Sequence, residues 1–562
     1  MSTTQRDIEL VRAITEQMPP PDPPEWWRGC VFYEVYVRSF NDTSSNGLGD
    51  LRGILDRIDY IAELGVDGIW LSPFYASPQE DCGYDVSNFC EVDERYGTLD
   101  DVRDLIKAAH DRGLKVIFDL ILGHTSDQHP WFLESAQSRD NPKADWYVWA
   151  DGDADGGAPN NWLSSFGGRA WRWEPHRAQY VYRPFLESQP ALNLGHPDVI
   201  AAMKDVMRFW LNLGADGFRL EAIQCLAHDV QLRSNPPAVA NDNPSVGGGP
   251  NNPFKRQIHL FDRDVPEAID VLREIRSVAD AYDPPRVLIG ELADVDSSRM
   301  APKYTVGPNR LHAVYDFDLI HRTTDLKSWS EMLEVRSRYL VSGASLNVFT
   351  NHDSQRAVSH LMPEACERGH GAAAAKLLLF LQATLMGGAI LFQGEELGLE
   401  QPQLSEDQIR DPWGKALWPD FAGRDGVRCP MPWAADARNG GFSDAADPIH
   451  EVPQAHLEMA VDRQLADGNS VLALTKRLLA WRRDHPILRV AGNDILTETP
   501  EKVIAYERRM ADDIVVCLVN FGMEPEEVML SKSGLKPVFA EGGCSLDGDR
   551  MRLDGLAFAA LA

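Results

Sequence analysis

The sequence predicts an α/β fold: a (β/α)8 TIM barrel with a lid domain inserted after its third strand and a C-terminal antiparallel β-sandwich. Three observations carry that prediction. Eight apolar, strand-like runs follow one another from residue 31, with helical stretches between several of them, which is the alternation a parallel barrel requires. About seventy residues rich in Trp, Gly, Pro and Asn interrupt the alternation after the third run. Past residue 488 the pattern changes to short runs such as KVIAYER and DIVVCLVNF, the signature of antiparallel strands.

In order, the runs are VFYEVYVRSF (31–40), DGIWLSP (67–73), LKVIFDLIL (114–122) and GFRLEAI (217–223), then RVLIGEL (286–292), HAVYDFDL (312–319), LNVFTNHD (346–353) and GAILFQGEE (388–396). DDVRDLIKAAHDRGL (100–114) and HPDVIAAMKDVMRFWLNLG (196–214) read as helices between them. The sixth strand is the least sharply marked, because no clear helix follows it. A long loop, 396–433, follows the eighth strand, and the helix LTKRLLAWRRDHPIL closes the barrel. The expected organisation is an N-terminal extension (1–26) with a short helix and a proline-rich connector, a barrel (27–123 and 187–488), a lid (124–186) and a β-sandwich (489–562). GGGPNNP (247–253) reads as loop.

Composition narrows the function. The chain has 562 residues, 44% hydrophobic and 25% charged, enough to bury a sizeable core. A formal charge of −30 repels phosphate backbones and anionic lipid surfaces, so nucleic acid and membrane are not expected partners and a small neutral substrate is compatible. No segment approaches the roughly 20 unbroken apolar residues of a membrane span. The N-terminus lacks the basic and apolar regions of a signal peptide, and the eight cysteines are scattered, so free thiols and a cytoplasmic location are expected.

In barrels of this type, reacting groups stand at the C-terminal ends of the strands. Here Asp119 lies on the third strand, Glu221 ends the fourth, Glu291 ends the fifth and Asp353 follows the seventh. Arg219 precedes Glu221 by two residues and therefore shares its face. Singly, each acid reads as a salt-bridge or capping residue. Together at one mouth they are the equipment of a retaining glycosidase, in which one carboxylate attacks the anomeric carbon and a second carboxylic acid protonates the leaving oxygen and later activates water.

WLSPFYASPQEDCGYDVSNF, DLILGHTSDQHPWF, ADGFRLEAI, IGEL, NHDSQR and QGEELGL occur in that order, with SQPALNL and GRDGVRCPMPW. Through these motifs the chain resembles the α-amylase superfamily of glycoside hydrolases, and within it the α-glucosidase and oligo-1,6-glucosidase group, from about residue 27 to the C-terminus. The resemblance implies Glu221 as nucleophile, Glu291 as general acid/base and Asp353 as transition-state stabiliser. It further implies Tyr84 stacking on the glucose ring, Asp85, His124 and His352 binding its hydroxyls, Arg219 orienting the nucleophile and Arg356 holding the sugar near Asp85. Phe166 in SSFGGRAW would wall the site from the lid.

The sequence also departs from the family. The nucleophile position carries aspartate in the relatives and Glu221 here, an arm longer by about 1.5 Å. Gly123 stands where many relatives have an asparagine that ligates calcium, so that ion is not expected. No cofactor is implied for the chemistry. A second cation loop in this group reads DTSSNGLGD here, with oxygens of Asp42, Ser44, Asn46, Leu48 and Asp50 offered to a structural Ca2+ or Mg2+, or else a self-capped turn. Ala191 replaces a common aspartate of SQPALNL, and Ala222 is neither residue of the usual linkage contrast. The loop at 228–261 is expected to roof the site. The expected function is a retaining exo-α-glucosidase acting on short α-glucosides such as maltose or sucrose, with transglucosylation in competition, as a monomer or homodimer. The rivals are a sucrose or trehalose isomerase and a non-catalytic sugar-binding homologue.

Overall fold

Eight parallel strands close into a barrel in the computed structural model, which describes residues 25–239, 249, 251–294, 296–320, 326–340 and 344–562. The expected N-terminal helix and proline-rich connector, and part of GGGPNNP, lie outside the described residues. The strands are β1 (Val31–Val35), β2 (Gly68–Leu71), β3 (Lys115–Leu120), β4 (Gly217–Leu220), β5 (Val287–Leu292), β6 (Ala313–Asp316), β7 (Ser345–Asn347) and β8 (Gly388–Phe392). Each pairs in parallel with its neighbours, and β8 closes on β1 through Val31 opposite Ala389.

Because side chains alternate across a strand, each barrel strand sends one parity outward and the other inward. The outward set, including Val31, Tyr33, Val116, Phe118, Phe218, Leu220, Leu288 and Leu292, packs against the surrounding helices. The inward set, including Phe32, Trp70, Ile117, Val287, Ile289 and Tyr315, fills the barrel. Continuing the inward parity one step toward the C-terminal ends gives Glu34, Asp119, Arg219 and Glu291. The barrel is thus apolar at its base and charged at its mouth.

Local chemistry starts the helices where they begin. Thr98 and Asp101 form a reciprocal capping box at the head of Leu99–Asp111, whose Val102, Leu105, Ile106 and Ala109 face the barrel. Pro197 opens the helix Pro197–Leu213, and its Met203, Met207 and Trp210 are buried. β4 begins at glycine because a Cβ at Gly217 would stand 2.0 Å from the Val287 carbonyl oxygen of β5.

Between β3 and the helix Pro197–Leu213, the strands Trp149–Ala150, Trp171–Glu174 and Gln179–Tyr182 form an antiparallel sheet over Trp162 and Trp171. At the C-terminus a five-stranded and a three-stranded antiparallel sheet enclose Val503, Val516, Leu518, Met551, Leu553 and Leu561. The opposite face of the larger sheet docks on the barrel, with Phe558 stacked 4.5 Å from Phe380 of the helix Gly371–Thr384. All eight cysteines are free.

Candidate active site

The charged mouth is organised by Arg219, which is 1% exposed. Its Nη1 donates to Asp119 Oδ1 and Oδ2 at 2.7 and 2.9 Å, and its Nη2 lies 2.6 Å from Glu291 Oε2 and 2.9 Å from the Tyr315 hydroxyl. A lone buried guanidinium would be costly, so two carboxylates and a phenol surround it. Burial pushes the Asp119 carboxyl up to about 6, although Arg219 opposes the shift. Tyr84 donates its hydroxyl hydrogen to Asp119 Oδ2 at 2.9 Å, and its ring lies 5.2 Å from His352 and nearly parallel to it.

Above this layer lies a cavity of about 410 Å3 onto which Glu221, Glu291 and Asp353 all open. Asp81 and Tyr84 add polar wall, and Phe166, Phe185, Phe254, Phe317, Trp413 and Phe421 add aromatic wall. Glu221 follows the last residue of β4, and the chain turns at once through Ala222, which has φ 42° and ψ 53°. That turn aims the Ala222 N–H at Glu291 Oε2, 2.9 Å away, so Glu291 is held by a guanidinium on one side and a backbone donor on the other. Glu221 Oε2 faces His124 Nδ1 at 3.8 Å. Burial raises the Glu221 carboxyl well above the usual carboxylate range; Glu291, Asp119 and Asp81 add to the shift and Arg219 opposes it.

Asp353 differs. Burial disfavours its charge, but His352 at 3.4 Å, Arg424 at 3.3 Å and Arg428 at 2.5 Å together outweigh that and hold the carboxyl well below its usual range. Arg424, 2% exposed at the side chain, also bonds Asp81 and Asp411, both at 2.7 Å. Phe166 stacks on Trp413 at 4.6 Å, and the Arg424 guanidinium covers Phe166 at 5.1 Å, so the segment inserted after β3 and the long loop after β8 close one wall together. Removing Arg424 would strand two buried carboxylates. Arg424→Ala is therefore expected to cost about 3–5 kcal/mol of stability, read as a lowered Tm, as well as weakening substrate binding.

Several sequence expectations need correction. Asp85 does not reach the cavity; it accepts from Ser77 Oγ and from the backbone N–H groups of Glu80 and Asp81, and so ties its own loop. Asp81, four residues earlier, is the acid on the cavity wall. Arg356 is likewise turned away, donating to the carbonyls of Gln393 and Val427, and Arg424 stands at the cavity in its place. Arg219 bonds Glu291 rather than Glu221. His124 and His352 are fully buried beneath the cavity, and burial lowers them to about 4 and about 3, leaving both imidazoles neutral at neutral pH. Phe166 is on the wall, as are Gly249, Phe254 and Lys255 from the loop after β4.

The loop proposed for a cation holds itself. Asp42 accepts from Ser44 N and Oγ, Gly47 N and Ser443 Oγ, and Asp50 accepts from Thr43 N and Oγ1, Ser44 N and Gly53 N. Asn46 Oδ1 accepts from Leu48 N. All four carboxylate oxygens accept from protein donors and Asp50 caps the helix Leu51–Asp56, so the loop is also held by its own hydrogen bonds. Among the described residues no group of three or more His, Cys, Asp or Glu side chains could hold a metal.

The alpha-amylase catalytic-domain model matches residues 34–491, which contain the barrel from the end of its first strand onward and every carboxylate of the cavity. The chain belongs to the α-amylase family of glycoside hydrolases. Within the family it is 42% identical over 544 residues to a probable alpha-glucosidase of Rhizobium meliloti strain 1021, covering 96% of this chain and 97% of the relative. It is 32% identical over 532 residues to an oligo-1,6-glucosidase of Parageobacillus thermoglucosidasius, covering 88% and 90%. The crystal structure of the alpha-glucosyl transfer enzyme XgtA superposes with a TM-score of 0.90 at 40% identity, covering 95% of this chain and 99% of that one. These relatives support the α-glucosidase group within the family. Among the described residues no helix is long and apolar enough to cross a membrane.

Proposed function

We propose that the protein is a retaining, exo-acting α-glucosidase for short α-glucosides such as maltose or sucrose, with Glu221 as nucleophile, Glu291 as general acid/base and Asp353 as transition-state stabiliser. The observation that carries the reading is the convergence of these three carboxylates on one cavity in three different electrostatic settings. In the first step Glu291, as the acid, gives its proton to the glycosidic oxygen while the Glu221 carboxylate bonds to the anomeric carbon. The aglycone leaves, and a β-glucosyl ester remains. In the second step Glu291, now a carboxylate, takes a proton from water, which attacks the same carbon, frees Glu221 and releases glucose as the α-anomer. An alcohol in place of water gives a transferred α-glucoside.

Asp353 suits its role because the arginine pairs keep it charged where a cationic transition state forms. Asp81 and Arg424 would grip hydroxyls of the glucose ring, and Tyr84 would stack against it. A cavity of about 410 Å3 is on the scale of a small-ligand pocket, which favours a terminal glucose and a short aglycone. A cytoplasmic location accords with eight free thiols.

The setting of Glu221 predicts a pH dependence. A nucleophile must be ionised, and a carboxyl with a raised pKa is ionised only at higher pH. The acidic limb of kcat/KM is therefore expected to lie well above the value of about 4.3 for free glutamate. Glu221→Asp withdraws the carboxylate toward Arg219 and is expected to move that limb down; an unmoved limb would assign it to another group.

Incubation with maltose and with sucrose, followed by proton NMR of the first products, tests the assignment. Free α-glucose appearing before the β-anomer is expected. An isomeric disaccharide without free monosaccharide would make the protein an isomerase, and no turnover of either sugar would leave a binding protein.

A further inference from the structure

Beneath the cavity, Glu34 of β1 is completely buried and takes no part in the two steps above. Its Oε1 lies 2.6 Å from His352 Nδ1, and its Oε2 is buried without a hydrogen-bond partner. The imidazole is held beside two nearly parallel rings, that of Tyr36 at 5.9 Å and that of Tyr84 at 5.2 Å. Nε2 lies 2.6 Å from the Tyr84 hydroxyl and 3.4 Å from Asp353 Oδ1.

Counting hydrogens along this chain leaves one arrangement for a neutral imidazole. Asp119 is gripped by Arg219 through both oxygens and can only accept, so the single hydroxyl hydrogen of Tyr84 goes to Asp119. The 2.6 Å contact between Tyr84 and His352 then needs its hydrogen from Nε2. With Nε2 protonated, Nδ1 is a bare acceptor, and the hydrogen in its 2.6 Å contact with Glu34 must come from the carboxyl.

We infer that Glu34 is a positioning residue that stands as a neutral carboxylic acid, donating to His352 Nδ1 and thereby fixing the tautomer whose Nε2–H is presented to Tyr84 and Asp353. The unpartnered Oε2 fits this state: it is then a carbonyl oxygen rather than half of a buried, unsatisfied charge. Burial also raises the Glu34 carboxyl well above its usual range, with Asp119 and Asp353 adding to the shift and Arg219 and the His352 N–H opposing it. Through Nε2–H the arrangement steadies Asp353 and the Tyr84 ring on which the glucose would stack, so it rests on the glucosidase reading for its effect on rate but not for its protonation.

Two measurements on the full chain separate these claims. The infrared difference spectrum between wild type and Glu34→Gln at neutral pH is expected to contain the carbonyl stretch of a neutral carboxylic acid. Carboxylate stretches in its place would overturn the inference, whatever the substrate proves to be. With p-nitrophenyl α-glucoside, Glu34→Leu is expected to lose about 10- to 100-fold in kcat/KM, the scale of a misplaced reacting group. Glu34→Gln, whose amide can donate to Nδ1 without a charge, is expected to recover most of that loss. A Gln variant as impaired as the Leu variant would contradict the donor role. If the Leu variant fails to fold, the infrared result decides.

Discussion

Glu221→Gln is expected to lower turnover of p-nitrophenyl α-glucoside by at least about 10⁴-fold, the scale of losing a nucleophile that acts as part of a unit. The amide matches the carboxyl in size and carries no charge. Because burial already disfavours the charge of Glu221, the variant should fold at least as well as wild type, so lost activity would not be lost structure. Adding azide to Glu221→Ala, where a small anion can occupy the vacated space, is expected to restore turnover and give β-glucosyl azide. Glu221→Asp is the more delicate comparison. It shortens the arm by about 1.5 Å, and a misplacement of 1 Å can cost about 10²-fold. If the surrounding cavity is matched to glutamate, the aspartate form will be slower; a faster aspartate form would mean that the longer arm impairs this enzyme.

The second large effect is expected at Glu291, and it should depend on the leaving group. Glu291→Gln removes the proton that a sugar aglycone needs, so hydrolysis of maltose should fall by about 10²–10⁴-fold. p-Nitrophenolate leaves without that proton, so formation of the glucosyl-enzyme from the nitrophenyl glucoside should be far less affected. Deglucosylation still needs the base, and a burst of nitrophenol equal to the enzyme concentration should precede a slow steady state. Equal losses on both substrates, with no burst, would remove Glu291 from the acid/base role. The amide also changes the group that faces Arg219 at 2.6 Å, so the melting temperature of the variant should be checked beside its rate.

What the sequence disclosed and what it hid have physical causes. Strands have a fixed period, so the eight runs and the placement of Asp119 and Glu291 on their strands toward one mouth were legible in the sequence. Parity fails where a strand stops. Glu221 was expected to share a face with Arg219, but β4 ends at Leu220 and Ala222 turns into the left-handed region. Arg219 instead meets Glu291, which lies two residues beyond Ile289, its register partner on β5.

Loops have no period to read. Asp81 and Asp85 are four residues apart in a turn in which Cys82 and Gly83 both have positive φ, and nothing in DCGYD says which acid faces inward. Arg424 lies in GRDGVRCPMPW, a motif legible as family-like, yet its side chain reaches Asp81 more than three hundred residues away in sequence. Only the path of the long loop after β8 decides between Arg424 and Arg356. The cation loop is ambiguous for a related reason: alternate oxygens suit a metal and suit backbone N–H groups equally well, and here they accept from such groups.

The central claim is that Glu221 forms the bond to glucose. Reacting the protein with 5-fluoro-α-glucosyl fluoride, which slows breakdown of a glucosyl ester, and mapping the mass of the trapped adduct by peptide sequencing tests it most directly. The account predicts one fluoroglucosyl group per chain, attached to the peptide containing Glu221 and absent from Glu221→Gln. An adduct on Asp119 or Asp353, or turnover of maltose with inversion and no adduct, would contradict it.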